Sequence, residues 1–483
     1  MKVRELKRIF PQFEYLHSIE SEFLRIETDS RKVQKGDMFV AIRGTKTDSH
    51  KFVPDAVRKG ATVIVGEEYV PIQENISFIK VPNSRIAYAL FSSAFFGFPS
   101  ERIKLVGITG TSGKTTTAYL LYKFFNDFLR IPAGFIGTTG TDCGKGFVNE
   151  ERFPPTTPDA FLFNKILYDS VQNGLKYVFA EISSSAILFR RIEGATFYGK
   201  ILTNIGKDHL EVHKTFEDYL KTKIEFFETP AQVCILNADS EYIEKFSAKG
   251  CANILTYGIK NRADVKGNIK YVNTSFTEFS LKFNGLKRDI RLNIPGYFNV
   301  YNYLALSSFA FFEGVSFRKV AEFAERAPSV PGRMNVFVTE RKVKVVIDFA
   351  HNPMEVESVL KYLNEIKGSS SLITVTGAVG WSVKEKRENI GKIASSLSDT
   401  LIITTDDPRG DDPERIIEDV SRFAPDALVI RDREKAIKKA LKIANPGDIV
   451  VLLGRGDERE IHFKDYVFVK SDLEMVKENE GEN

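Results

Sequence analysis

Apolar residues in this chain gather in short β-branched runs. Between them lie stretches whose apolar positions repeat at the helical period, and the alternation continues almost end to end. Asp37–Arg43 and Ala61–Val65 read as strands, with Phe52–Lys59 as a helix between them. Ile86–Phe96 is a further helix, ended by Gly97 and Pro99, and Pro99–Ser100 reads as a linker. Lys104–Thr109 then opens a new unit as a buried strand, followed by glycines and a helix over Thr115–Phe128. Tyr177–Ile182, Gly199–Thr203 and Val233–Leu236 are further strands with helical stretches between them. This order predicts a mostly parallel sheet with helices on its faces. Between residues 265 and 295 the apolar period shortens to two, as in Phe279–Phe283, which predicts an antiparallel insertion or edge. Asn299–Phe312 is helical again, and Pro328–Gly332 reads as a second linker. Val343–Ile347, Ser371–Thr376, Thr400–Thr404 and Asp448–Leu453, with helices between, predict a second doubly wound unit. The tail from Glu474, rich in Glu, Lys and Asn, reads as frayed.

A chain of 483 residues exceeds what one core organises, so the pattern divides into three α/β domains, 1–99, 100–331 and 332–483. The net charge of +4, with acids and bases mixed throughout, argues against nucleic acid as the partner. The start, MKVRELKRIF, has no apolar secretory segment, and no stretch nears the roughly 18 apolar residues of a membrane span. A cytoplasmic protein without a membrane partner is expected. Cys143, Cys234 and Cys251 cannot all pair and lack metal-ligand spacing, so they read as reduced thiols packed as small hydrophobes.

The clearest chemical signal is Gly107-Ile-Thr-Gly110-Thr-Ser-Gly113-Lys114-Thr115-Thr116, placed between a strand and a helix. Glycines let backbone N–H groups approach phosphate oxygens, and the helix start adds its positive dipole end. Lys114 would reach the β- and γ-phosphates of ATP, and the Thr115 hydroxyl would ligate Mg²⁺. Ile108 occupies the first glycine position of the general pattern, so three glycines recur instead at intervals of three.

That spacing resembles the ATP-dependent Mur ligases, which form amide bonds in peptidoglycan precursors. Other stretches resemble the family in the same order: Glu181-Ile-Ser-Ser184, Thr203-Asn-Ile-Gly-Lys-Asp208-His209, Asn299-Val-Tyr-Asn302, Gly332-Arg333 and Asp348-Phe-Ala-His351-Asn-Pro. Thr28–Val40 is similar to the N-terminal uridine-binding domain of its MurE and MurF types. Thr156-Thr157-Pro-Asp159 and Asp406-Asp407-Pro408-Arg409 point to the MurE type, which adds a third residue to UDP-MurNAc-L-Ala-D-Glu. The resemblance implies an N-terminal uridine-binding domain, a central P-loop ATPase domain and a C-terminal Rossmann-like domain that takes the amino acid. It further implies ATP contacts from Gly110, Thr111, Ser112, Gly113, Lys114, Thr115, Thr116, Asn302, Arg333 and His351. Catalysis would rest on Lys114, Glu181, His209 and Lys223, and Mg²⁺ on Thr115, Glu181, His209 and Lys223, the last as a CO₂-derived carbamate. Ser30, Thr156, Thr157, Ser184 and Arg191 would meet the UDP-MurNAc-dipeptide, with His50 near the uridine. Asp406, Asp407, Arg409 and Glu458 would meet the free amino acid. His213 and His462 read as structural, and the chain is expected to act as a monomer.

The implied reaction activates a carboxylate as an acyl phosphate for attack by an amine. Family members that take meso-diaminopimelate carry an Asn where Asp407 stands, and an arginine where Gly380-Trp381-Ser382-Val383 has none. One cation lost and one acid gained favour lysine over diaminopimelate. Ser185 and Asp457 also depart from the family pattern, which leaves a MurF-type or divergent paralogue with another acceptor as an alternative. Outside ligase chemistry the alternatives are a P-loop ATPase that forms no bond and a non-catalytic binding paralogue. Retention of Lys114, Thr115, Glu181, His209 and Lys223 argues against the latter.

Overall fold

The computed structural model describes residues 1–44, 47–148, 156–246 and 248–480. The first of three domains has a five-stranded sheet in the order Glu14–Leu16, Ser77–Lys80, Val63–Gly66, Met38–Val40, Ile26–Glu27, parallel except for its first strand. Helix Ser84–Phe95 buries Ala87 and Phe91 in the same core as Val63 and Val65. The side chain of Asn83 caps this helix by accepting from the N–H groups of Arg85 and Ile86.

The central domain is built on a ten-stranded sheet. Its parallel part includes β1 (Lys104–Thr109), β2 (Ala133–Gly137), β3 (Tyr177–Glu181), β4 (Gly199–Leu202), β5 (Ala231–Asn237) and β6 (Cys251–Gly258), in the spatial order β6-β5-β4-β1-β3-β2. Every position of β3 and β4 is buried, which fits strands covered by helices on both faces. The alternating stretch after β6 forms Val265–Val272, Thr277–Phe283 and Leu286–Leu292, which extend the sheet as an antiparallel edge. Helix α1 (Lys114–Lys123) follows the phosphate loop and runs on as a wider turn over Phe124–Phe128. Helices α2 (Phe216–Glu228) and α3 (Tyr297–Phe312) complete the surroundings of the loop.

In the third domain, β7 (Lys344–Asp348), β8 (Leu372–Thr376), β9 (Thr400–Ile403) and β10 (Ile449–Leu453) are parallel in the order β7-β10-β8-β9. The reversal of strand order opens a crevice at their C-terminal ends.

Three expectations need correction. Pro99–Ser100 is no open linker: both residues are buried in a tight turn, and Ser100 Oγ accepts from the Thr196 N–H at 3.0 Å. The tail is not frayed, for residues 472–480 form helix α4 (Asp472–Glu480), with Met475 and Val476 fully buried. Cys234 and Cys251 are not free thiols; they are bonded, with Cα atoms 5.8 Å apart on the neighbouring strands β5 and β6. The bond joins neighbouring strands between cysteines 17 residues apart in sequence. Cys143 stays free. No helix among the described residues is long and apolar enough to cross a membrane.

Candidate functional site

The phosphate loop bridges β1 and α1, and its shape depends on two glycines. Gly110 has φ 150°, and a Cβ there would lie 1.9 Å from Thr203 Oγ1. Gly113 has φ 81°, in the left-handed region, and a Cβ would meet Asn302 Oδ1 at 2.4 Å. Asn204, two residues past β4, clamps the loop: its Oδ1 accepts from the Ser112 N–H at 2.9 Å and its Nδ2 donates to Ser112 O at 3.1 Å. Lys114 folds back over the loop, donating to Gly110 O at 3.0 Å and Thr111 O at 2.8 Å. Burial pulls its ammonium below the ordinary lysine range. Ser112 Oγ is buried without a partner. Thr111 Oγ1 meets the Tyr219 hydroxyl at 2.8 Å. Thr116 is buried in the first turn of α1, and Asn302 supports that turn by accepting from Thr117 Oγ1 at 3.3 Å.

Glu181, at the end of β3, is fully buried beside the loop. It accepts from Thr115 Oγ1 at 2.8 Å and from the Thr138 N–H at 2.8 Å, while burial raises its carboxyl. Lys223, from α2, projects under the loop and donates to Thr109 Oγ1 at 3.1 Å and Gly110 O at 2.9 Å. Burial, then the nearby Lys114 charge, hold its ammonium well below the usual range. His209 has φ 56° and a side chain 42% exposed, with Nδ1 3.4 Å from Glu211.

The third domain closes onto this loop. Arg333 stacks on Phe349, 4.1 Å from the ring centre, and its Nη2 reaches Thr115 Oγ1 at 3.4 Å. Buried Asp208, on the central domain, accepts from Lys386 Nζ at 2.8 Å and Asn352 Nδ2 at 3.1 Å. Burial opposes ionisation of Asp208, but the charges of His209 and Lys386 outweigh it and hold its carboxyl below the usual range. His351 lies in the same seam, with Nδ1 3.0 Å from Phe349 O and 3.4 Å from Glu355.

Thr156, Thr157, Ser184 and Arg191 come together on the other side of Glu181. Thr157 Oγ1 donates to Glu181 O at 2.8 Å, and Thr156 Oγ1 accepts from Thr138 Oγ1 at 3.2 Å. Arg191 Nη1 donates to Thr157 O at 3.0 Å. Ser184 Oγ meets His213 Nε2 at 3.0 Å, and His213 Nδ1 is buried without a partner. Ser30 is in the first domain, buried, with its carbonyl accepting from Lys59 Nζ at 2.9 Å. His50 is held within its own loop: Nδ1 lies 2.6 Å from Asp48, and Nε2 accepts from the Glu67 N–H at 2.9 Å. Both its ring nitrogens are therefore committed to local structure.

Asp406, Asp407 and Arg409 follow β9, and Glu458 follows β10, so all four stand at the crevice of the third sheet. Arg409 Nε donates to Asp407 Oδ2 at 3.0 Å, and Asp407 Oδ1 accepts from the His462 N–H at 2.7 Å. Asp406 is buried with Oδ2 unpartnered, and burial pushes its carboxyl up to about 6. Burial also pushes Glu458 up to about 8, and the charges of Asp406 and Asp407 add to this. Arg433 and Arg455 offset part of this acid at Asp406, and Arg409 and Arg455 at Glu458.

The contacts of Thr138, Asn204, Asp208 and Lys386 lay beyond the sequence reading. Asp208 stood inside a recognised stretch, but Lys386 lies 178 residues away and carried no signal of its own. His213 and His462, read as structural, both touch candidate site residues.

The chain matches the catalytic domain of the Mur ligase family over residues 22–94, the Mur ligase middle domain over 108–310 and the Mur ligase glutamate ligase domain over 332–456. It is 36% identical over 474 residues to UDP-N-acetylmuramoyl-L-alanyl-D-glutamate--2,6-diaminopimelate ligase of Clostridium botulinum, covering 97% of each chain. A solved structure of a ligase of that name superposes with TM-score 0.69 at 26% identity, covering 100% of this chain and 99% of the other. The MurF ligase of Thermotoga maritima in complex with ADP shares the fold, with TM-score 0.62 at 21% identity, over 96% of this chain and 98% of the other.

Proposed function

The chain belongs to the Mur ligase family of ATP-dependent acid–amino-acid ligases, and we propose that it adds lysine to UDP-MurNAc-L-Ala-D-Glu through an acyl phosphate. One observation carries this reading: the domain with the phosphate loop and the domain with the acid-rich pocket are joined by Arg333 at Thr115 and by Lys386 and Asn352 at Asp208. A bond-forming enzyme needs that juxtaposition, whereas a simple ATPase has no use for the pocket.

In this reading the D-Glu carboxylate takes the γ-phosphoryl group of ATP, releasing ADP. The α-amino group of the amino acid then attacks the acyl carbon, and inorganic phosphate leaves. Lys114 exchanges its two carbonyl partners for phosphate oxygens and offsets charge on the transferring group. Arg333 brings a second cation from the third domain, and Thr157, Ser184 and Arg191 orient the dipeptide. Thr115 and Glu181 are hard oxygen donors 2.8 Å apart, a set that fits Mg²⁺ held largely by phosphate, and His209 would serve a second ion. The metal would offset phosphate charge when bound. Lys223, buried and disfavoured as a cation, is suited to carry CO₂ as a carbamate and so become an oxygen donor.

The cations near the acceptor pocket are engaged with protein carboxylates, which supports lysine; two of them, Arg433 and Arg455, share Asp472. Arg409 meets Asp407, Arg387 meets Asp411 and Asp419, and Lys386 meets Asp208. Arg409 keeps its terminal nitrogens for an α-carboxylate, while a second, distal carboxylate would enter among Asp406, Asp407 and Glu458, where Arg433 and Arg455 are already engaged with Asp472. Diaminopimelate is the second reading, favoured by the name of the C. botulinum relative.

The test is phosphate release from ATP and Mg²⁺ with UDP-MurNAc-L-Ala-D-Glu, offering lysine and meso-diaminopimelate separately and weighing the products. A tripeptide mass with lysine alone is expected. Product from diaminopimelate alone keeps the ligase and discards the lysine assignment; release without any new amide sinks both.

A further inference from the structure

We infer that the indole of Trp381 forms one wall of the acceptor pocket and selects an amino acid whose long side chain ends in a bare ammonium. The inference rests on the ligase reading and adds a specificity residue to it. In the third sheet β8 lies between β10 and β9. The loop after β8, which carries Trp381, therefore emerges between the loop bearing Glu458 and the loop bearing Asp406 to Arg409. It is pinned to the latter. The Gly380 N–H donates to Asp407 O at 2.8 Å, and a Cβ at Gly380 would come within 1.8 Å of Pro408 O. The Trp381 N–H donates to Asp411 Oδ2 at 2.7 Å, the same oxygen that receives Arg387 Nη2 at 3.1 Å.

These bonds hold Trp381 at φ 61°, a backbone region that costs a bulky residue free energy, and leave it 67% exposed. Among the described residues no ring, cation or carbonyl receives the indole. A strained, exposed aromatic on a loop between the two acid-bearing loops offers what a lysine side chain needs. The flat face covers the methylene chain and attracts the ammonium, while Asp406 supplies the opposite charge and Glu458 adds to it once ionised. The indole gives a distal carboxylate no cation.

Trp381 is the only tryptophan in the chain, so its emission reports this one position. Lysine added to enzyme holding ADP and UDP-MurNAc-L-Ala-D-Glu is expected to change that emission saturably. Trp381→Ala should raise KM for lysine about tenfold while kcat and the KM for ATP stay within about twofold, and Trp381→Phe should recover most of the loss. An emission unmoved by lysine at concentrations that saturate turnover overturns the inference, as does an unchanged lysine KM in Trp381→Ala. Wild-type enzyme that forms tripeptide from diaminopimelate alone removes the selection but leaves the ligase reading. Wild-type enzyme that forms no amide with either amino acid removes the ligase reading and the inference with it.

Discussion

The phosphate loop and the acceptor pocket treat buried charge in opposite ways. Around the loop, Lys114, Lys223 and Thr115 each have partners within the protein. The acceptor pocket instead leaves Asp406 Oδ2 without a partner and pushes Glu458 up to about 8. The loop side already has Lys114, Lys223 and Thr115 paired within the protein, so phosphate would exchange for bonds that are made in advance. The pocket buries acids that its arginines only partly offset, so an arriving cation would complete it. The contrast is one between a cradle that is shaped in advance and a pocket that is charged in advance.

Substitutions can break the two sides separately. Lys114→Ala removes the cation that meets the transferring phosphoryl group and should lower kcat by more than about 10³-fold with an unchanged circular dichroism spectrum. Near-normal turnover would cancel its assigned role. Lys223→Ala should cost about 10²-fold and regain part of that with formate or acetate in solution, because a small carboxylate can replace carbamate oxygens. A fully active variant would remove the carbamate from the scheme. On the acceptor side, Asp472→Ala leaves the buried guanidiniums of Arg433 and Arg455 without their shared carboxylate. A loss of about 3–5 kcal/mol in denaturant unfolding is expected, and a wild-type midpoint would contradict the pairing.

The smallest effect is in pH. Glu458 is protonated below about 8 in the free pocket, because its folded value lies above the ordinary carboxylate range. Raising pH through that value ionises it and strengthens its hold on a substrate ammonium. KM for the amino acid should therefore fall several-fold between about pH 7 and pH 8.5 and then level off. In Glu458→Gln that fall should vanish, and an unchanged slope there would assign the titration to another group.

The phosphate side was legible because its signals are local. One strand, three spaced glycines and a lysine fix a loop over ten residues, and the buried run of β1 matches Lys104–Thr109 residue for residue. The antiparallel edge after Val265 was legible for the same reason, since its alternation lies within single strands. What escaped was pairing at a distance. Asp208 needs Lys386, and Cys234 needs Cys251, and neither bond leaves a trace in the spacing around its members. The tail escaped differently: its polar residues hid Met475 and Val476, two side chains that suffice to dock one face of α4. His50 shows the converse, a residue noticed for its chemistry whose two nitrogens are spent on holding a turn.

Asp472 gives the third domain an order of assembly. Its carboxylate receives Arg433 from one side and Arg455 from the other, and Arg455 stands three residues before Glu458. As the ribosome makes the chain, the phosphate loop and its sheet can settle while later codons are still being read. The acceptor pocket cannot, because the carboxylate that seats its Glu458 loop is encoded after every residue of the pocket itself. The acceptor pocket would thus be the last part of the enzyme to take shape during synthesis, after the loop whose phosphate chemistry it completes.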